Sequence, residues 1–522
     1  MKKKFTRPFD HTGKISRRKF MFSCGVCTAC LATIPLKKLN AFSVGNYRKK
    51  TRIRIVYSLH AEKQPQPDWP NINFDFGPFM QHVQTELSRQ LPDFDFVTAM
   101  AKGPEEAANI LKEDTSGSID GYLVYQLNCW NQVVQTLAES GKPVLYADFQ
   151  YGGSGGFLVY NANFVRNNSS NIGFVASSDL NDLVASVKCF DIVQQGGTLA
   201  DFVSATEKIR MKNTPLPGNL VCKPDQVNIL PTSDCVQQLK KSKILAIRNT
   251  ESGTLDPYMT IPVEQIPFVE LNNAYNNVNR EKSNEIASKW ISQASAVIDV
   301  PHQTIEDSAA MYFAMKSILK QYDANAITIN CLGGFYGGHI HAYPCLGFHE
   351  LNNEGQVGAC ECDVESTATM VAFTTLTQGR PGYISDPVID TSKRQIIYAH
   401  CVASNKVFGP DGRPNPYSIM NHSEDRQGAS VRSLLPVGYM TTTMKVNNDR
   451  KEIIFHQAKA IGNDPDDRAC RTKLCAEPVG DMEKLFNYWD KWGWHRVTFY
   501  GDLKEPAYDL AAALGYTILE EA

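Results

Sequence analysis

Between residues 52 and 330, strand-like runs alternate with helical segments, and this alternation limits the fold more than any other feature. Segments 52–59 (RIRIVYSL), 94–100, 121–127 and 142–149 read as strands. Helical patterns at 78–91, 104–114 and 130–140 fall between them. Consecutive strands joined by helical crossovers lie parallel, which predicts a doubly wound parallel sheet with helices on both faces. A proline-spotted stretch at 215–231 reads as a linker. A second unit of the same style follows, with strands at 243–248, 267–271, 296–300 and 326–330 and helices at 280–294 and 305–321. From about residue 395 the texture changes. Short strands at 396–399, 429–435, 439–446 and 451–458 are split by Gly, Pro and Asn turns, as in an antiparallel barrel or sandwich. The segment 481–520 returns to helix, strand and helix. The expected organisation is an α/β chain with units at 43–214, 215–395 and 396–522. Tandem α/β units also build solute-binding proteins, so architecture alone does not assign a function.

The glycine run 152–156 (GGSGG) follows the fourth strand. It carries no phosphate-loop pattern, and the reading is a mobile loop at the carboxyl edge of the sheet.

The first 42 residues are a targeting segment rather than part of the fold. They carry ten Lys or Arg against Asp10 alone, which leaves the remainder of the chain at −11 out of a formal −2. Ser16-Arg17-Arg18-Lys19-Phe20-Met21 resembles the twin-arginine export signal, and an uncharged run over 20–36 follows it. Seventeen residues are too few for a membrane span, which needs about 20. The expectation is export of a folded chain by the twin-arginine route, cleavage after Ala41, a periplasmic or extracellular location, and no membrane span in the mature chain. Cys24, Cys27 and Cys30 fall inside the apolar run and read as small apolar residues of the signal. An acidic body speaks against nucleic-acid binding, which depends on neutralising phosphates. With 43% hydrophobic and 21% charged residues, the chain is not a disordered one. Eleven cysteines remain after the signal. Cys470 with Cys475, or Cys222 with Cys235, are candidates to pair in an oxidising compartment.

Side chains suited to chemistry concentrate between 331 and 401. The stretch holds four of the eleven histidines and five of the fourteen cysteines, after the last strand of the second unit. If Glu361-Cys362-Asp363 is extended, both carboxylates share one face and aim at one point. Carboxylates joined by imidazoles suit Mn²⁺ or a similar divalent cation. His339-Ile340-His341 offers two rings at the same spacing. His400 ends a strand, and His495 follows two tryptophans near the carboxyl terminus. His422, in a run of turn formers, reads as a plain loop residue.

Cys331, Pro344-Cys345, Leu351, then Gly358-Ala359-Cys360-Glu361-Cys362-Asp363-Val364, Leu376-Thr377-Gln378-Gly379-Arg380-Pro381, Asp386 and Ala399-His400-Cys401 stand in an order that resembles the L-fucose isomerase and L-arabinose isomerase superfamily. Ala469-Cys470-Arg471-Thr472 and Trp494-His495-Arg496 resemble its C-terminal domain. The resemblance implies two Rossmann-like units and a C-terminal β-barrel. It implies interconversion of aldoses and ketoses with a divalent metal, usually Mn²⁺, through an enediol, in a homo-oligomer acting on a small sugar. It places a metal carboxylate at Glu361, or at Asp363 in the other register, and the C-terminal metal histidine at His495, with His400 close by. The family's first carboxylate belongs in 333–341, where this chain reads GGFYGGHIH, so His341 or His339 stands in for it as base or ligand. Two other functions fit the same scaffold. One is an exported glycoside hydrolase or lyase using Glu361 and Asp363 as acid and base. The other is a noncatalytic sugar-binding protein with aromatic platforms in its cleft.

Overall fold

Five parallel strands, β1 (Thr51–Ser58), β2 (Phe94–Ala101), β3 (Gly121–Gln126), β4 (Val144–Asp148) and β5 (Ile172–Val175), form the first sheet in the order β2-β1-β3-β4-β5. This computed structural model describes residues 49–114 and 118–522. The export-signal reading of 1–42, with Cys24, Cys27 and Cys30, lies outside the described residues. Strand β1 shows why the sheet is doubly wound. Ile53, Ile55 and Tyr57 point into one apolar core and Val56 into another, so both faces are covered at the carboxyl half of the strand, while Arg52 and Arg54 lie at its amino half. The chain leaves β1 to build β2 on one side and β3 on the other. That reversal opens a crevice beyond the carboxyl ends of β1 and β3.

The second sheet has the order β11-β10-β6-β8-β7. Its strands are β6 (Ile244–Arg248), β7 (Gly253–Tyr258), β8 (Ile261–Pro267), β10 (Ala326–Ile329) and β11 (Val357–Ala359), and only the edge strand β7 runs antiparallel. Two expectations are corrected here. The strand expected at 267–271 ends at Pro267, and Phe268–Asn276 is a helix. Phe268, Leu271 and Tyr275 are spaced for one helical face, and all three are buried. Strand β9 (Ala296–Ile298) does not enter this sheet. It pairs with β14 (Tyr417–Met420) in a small sheet completed by β15 (Ser430–Ser433).

The C-terminal layer is a closed six-stranded antiparallel barrel. Its strands are β12 (Gly382–Asp390), β13 (Gln395–His400), β16 (Met440–Asn447), β17 (Glu452–Asn463), β18 (Thr472–Pro478) and β19 (Arg496–Tyr500), and the β16–β17 pairing closes the ring. A last strand, β20 (Thr517–Glu520), adds to β17 in parallel. β12 belongs to the barrel although it precedes the expected boundary at 396. The barrel shares one core with the first sheet, where Tyr398 and Tyr500 join Val124 and Tyr146. It shares another with the second sheet, where Val497 and Phe499 join Ile244 and Ala359.

The glycine run is not a loop. A helix, Ser154–Arg166, starts inside it. A Cβ at Gly153 would lie 2.0 Å from the Gln126 carbonyl oxygen, and one at Gly155 would lie 2.5 Å from the Trp494 ring. The glycines let this helix seat against β3 and that tryptophan. The 215–231 linker has no regular structure but is clamped along its length. Gly218 N–H donates to Glu477 at 2.6 Å, and the Arg380 guanidinium holds Asp225 at 2.7 Å.

Candidate metal centre

Glu361, Asp386, His400 and His495 each present a donor atom, and the four atoms lie within 4.8 Å of one another. They arrive from distant parts of the chain. Glu361 follows β11 in a turn where Glu361 (φ 63°) and Cys362 (φ 54°) both adopt the left-handed region. Each costs about 1–3 kcal/mol for a residue with a Cβ, and such strain is commonly retained where it aims a functional group. The turn is pinned by the Cys362 N–H donating to the Ile329 carbonyl at 3.0 Å. Asp386 sits within β12, directly opposite Ala399 of β13, and His400 is the last residue of β13. His495 immediately precedes β19, whose Arg496 pairs with Ser385 of β12.

The His495 ring bridges the acids. Its Nε2 lies 3.3 Å from Glu361 Oε2 and 3.2 Å from Asp386 Oδ1, while Nδ1 meets Asp363 Oδ2 at 2.9 Å. Asp363 therefore orients His495 from behind rather than joining the four donors. Its oxygens are also taken by the Ser366 N–H at 2.9 Å, the Ser366 hydroxyl at 2.7 Å and Lys445 Nζ at 2.9 Å, so it caps the helix Val364–Leu376 as well. His400 Nε2 stands 3.8 Å from Glu361 and 3.9 Å from Asp386.

Electrostatics match this arrangement. Burial opposes ionisation of Glu361, but the charges of His495 and His400 and the hydrogen bond from His495 outweigh it and bring the carboxyl down to about 2. Burial also opposes a charge on His495, yet Glu361, Asp363 and Asp386 together raise that ring well above its ordinary value. The two ring nitrogens of His400, a residue only 3% exposed, have no hydrogen-bond partner among the described residues. An unpaired buried polar group costs about 1–3 kcal/mol. Two carboxylates and two imidazoles, one of them otherwise unsatisfied, fit a divalent metal ion.

Glu361, Asp386 and His495 of this cluster line a cavity of about 650 Å³. His60, Asp68 and Trp69 reach it from beyond β1, Cys129 and Trp130 from beyond β3, and Leu332, Gly333 and Tyr336 from beyond β10. The carboxyl edges of both sheets thus open onto one space, which Asp386, Lys445 and His495 close from the barrel side. Trp494 meets Trp69 edge-on at 4.9 Å and Trp130 at 6.1 Å, an aromatic wall suited to the C–H faces of a sugar. Glu424 lines the same cavity, and burial pushes its carboxyl up to about 8 against the charge of His422.

Sequence reasoning singled out Glu361, Asp363, His495 and His400, and the structure draws them together, with Asp363 behind His495. The pair expected to replace a missing acid lies apart from this cluster. The His339 ring stacks on Phe268 at 5.5 Å, the His341 ring packs on Tyr275 at 5.5 Å, and neither belongs to the donor cluster. The segment is a short helix, Cys331–Tyr336, followed by a turn, so the strand spacing that would aim both rings at one point does not arise. The second carboxylate is Asp386. Its only sequence signal was a place in the motif order, since nothing beside it in the chain is a donor. The described cysteines, including Cys222, Cys235, Cys470 and Cys475, carry free thiols.

No family model matches the chain. A stretch of 101 residues is 27% identical to sulfoquinovose isomerase of Alkalicoccus urumqiensis, covering 19% of this chain and 23% of that protein. Sulfoquinovose isomerase of Priestia megaterium is 26% identical over 102 residues, with the same 19% and 23% coverage. The match thus spans about a quarter of these relatives' length, and it is a partial similarity to sugar isomerases. Among solved structures, a transcriptional regulator CelR–cellobiose complex is 10% identical, covers 54% of this chain and 69% of its own, and has a TM-score of 0.17. A periplasmic solute-binding protein from Actinobacillus succinogenes with bound D-allose is also 10% identical, with 63% and 91% coverage and a TM-score of 0.17. Overlap this low bears on neither fold nor ligand.

Proposed function

We propose that this protein is a divalent-metal-dependent aldose–ketose isomerase, with Mn²⁺ as the ion and a small sugar as the substrate. The observation that carries the reading is the four-donor cluster, three of whose members line a sugar-sized, tryptophan-lined cavity. Glu361, Asp386, His400 and His495 would hold the ion, whose chemistry there is to polarise the sugar's carbonyl and neighbouring hydroxyl oxygens. Glu361 has a side chain 29% exposed, against 6% for Asp386, so it is the carboxylate placed to move a proton between C2 and C1 through an enediol. Asp363 holds the His495 Nδ1–H and leaves Nε2 facing the cluster. The partial similarity to sugar isomerases supports the same reaction class.

The glycoside-cleaving alternative requires Glu361 and Asp363 as a free acid–base pair, whereas Asp363 is already engaged by Ser366, Lys445 and His495. The tryptophan wall would serve a sugar-binding protein equally well, and catalysis separates the two. The full-length protein, loaded with Mn²⁺ and incubated in D₂O with a panel of aldoses, is expected to form ketose carrying solvent deuterium at the carbon that receives the proton. Absence of both conversion and deuterium exchange for every sugar would contradict the reading.

We further propose export by the twin-arginine route to the periplasm and assembly as a homo-oligomer. The basic start and Arg17-Arg18 support export. Among the described residues no helix is long and apolar enough to cross a membrane. Retention of an Arg17→Lys, Arg18→Lys variant in the cytoplasmic fraction would bear the export reading out.

A further inference from the structure

Free sugars in water are almost entirely cyclic, whereas proton transfer between C1 and C2 needs the open chain. An isomerase site therefore benefits from a group that carries a proton from the anomeric hydroxyl to the ring oxygen. The metal donors are committed elsewhere. Of the other polar groups on the cavity wall, Lys445 is bound to Asp363, and His60 Nε2 is bound to Asp68 at 3.1 Å. Glu424 differs. Its Oε2 accepts from the Tyr336 hydroxyl at 2.8 Å, and among the described residues no hydrogen bond reaches its Oε1.

The loop carrying Glu424, between β14 and β15, is tied in place. The Glu424 carbonyl accepts from Ile72 N–H at 2.6 Å. The neighbouring Asp425 engages His422 at 3.3 Å, the Gln427 N–H at 3.1 Å and the Tyr343 hydroxyl. A carboxyl with one oxygen anchored and the other unpartnered, on a fixed loop lining the same cavity as Glu361, Asp386 and His495, is arranged for proton handling.

We propose that Glu424 is a catalytic residue that opens the sugar ring. The step balances without any co-reactant. Glu424 gives its proton to O5 as the C1–O5 pair leaves to the ring oxygen, the O1 electron pair forms the C1=O bond, and the O1–H proton returns to Glu424. Tyr336 is a positioning residue that holds the carboxyl through Oε2. This assignment rests on the isomerase reading for its purpose, but ring opening has its own readout, because it interconverts anomers with no isomerisation.

The experiment is NMR saturation transfer between the anomers of D-glucose, L-arabinose, L-fucose and sulfoquinovose, using the full-length Mn²⁺-loaded protein. The wild type is expected to accelerate exchange of at least one sugar. Glu424→Gln should lower that acceleration by about 100-fold or more, within the usual range for a general acid–base group, with metal content unchanged. Tyr336→Phe should lower it by about tenfold, and His339→Ala should leave it as in the wild type. A Glu424→Gln protein that folds and keeps exchange within about threefold of the wild type would overturn the proposal, as would a wild type that accelerates none of the sugars. Exchange without isomerisation would remove the isomerase reading and leave the role of Glu424 standing. Isomerisation with exchange insensitive to Glu424→Gln would do the reverse.

Discussion

Residues 333–341 and the barrel positions 386, 400 and 495 make opposite cases. The first segment is dense in glycine, with two histidines two places apart. In the structure its rings rest on Phe268 and Tyr275, away from the cluster. Around Asp386 and His495 no pair of donors is spaced to attract notice. Yet Asp386, His400 and His495 meet Glu361 within 4.8 Å, because β12 pairs with β13 on one side and with β19 on the other. Spacing along the chain predicts a shared site only when the backbone between the donors has the assumed period. Barrel pairing brings distant donors together whatever their spacing.

The largest expected effect sharpens this contrast at the cluster itself. Glu361→Gln and Asp386→Asn should each abolish detectable isomerisation, a loss of at least about 1,000-fold in kcat, and should strip the metal through dialysis, read by turnover and elemental analysis. At the level behind the donors, Asp363→Asn should weaken metal affinity about 10–100-fold while the fold persists, because His495 loses its orienting partner. Calorimetric metal titration checks this.

The barrel end that delivers His495 depends on a buried network. Arg496 reaches Glu521 with Nε and Nη2 each at 3.0 Å, and His456 Nδ1 meets Glu521 at 2.8 Å. Glu521→Gln leaves Arg496 charged and poorly compensated, and should cost about 3–5 kcal/mol in denaturant unfolding. The pH sign follows from the folded state. Burial opposes ionisation of Glu521, but Arg496 and His456 prevail and lower its pKa from 4.5 to about 2. Its contribution is therefore complete above pH 4.5 and lost as the pH falls through about 2. The gap between wild type and Glu521→Gln should narrow over that range. The smallest effects belong to the histidine pair. His339→Ala and His341→Ala should leave metal content and turnover within about a factor of two, and a large loss from either would break the contrast.

Much of the frame was legible from residues. Alternation of strands and helices marked both α/β units, and the change to short, turn-punctuated strands marked the barrel. Glu361, His400 and His495 were legible from motif order. Asp386 stood in the same motif order but was not singled out as a donor, because its neighbours in the chain are apolar or hydroxylic and its donor partners come through strand pairing. The 152–156 run misled because glycines that permit close packing look the same in sequence as glycines that form a loop. Residues 267–271 misled because an apolar run of that length suits a strand or a buried helix turn equally, and the i, i+3, i+7 burial of Phe268, Leu271 and Tyr275 decides it. Glu424 escaped notice because its setting of Asn, His, Ser and Asp reads as an ordinary turn.

The most direct measurement is Mn²⁺ titration of the purified protein by calorimetry, comparing the wild type with His400→Ala and His341→Ala. The account predicts about one equivalent bound by the wild type and by His341→Ala, and a loss of at least about 100-fold in affinity for His400→Ala, the residue whose buried ring nitrogens have no hydrogen-bond partner among the described residues. Retained affinity in His400→Ala, or loss of binding in His341→Ala, would contradict it.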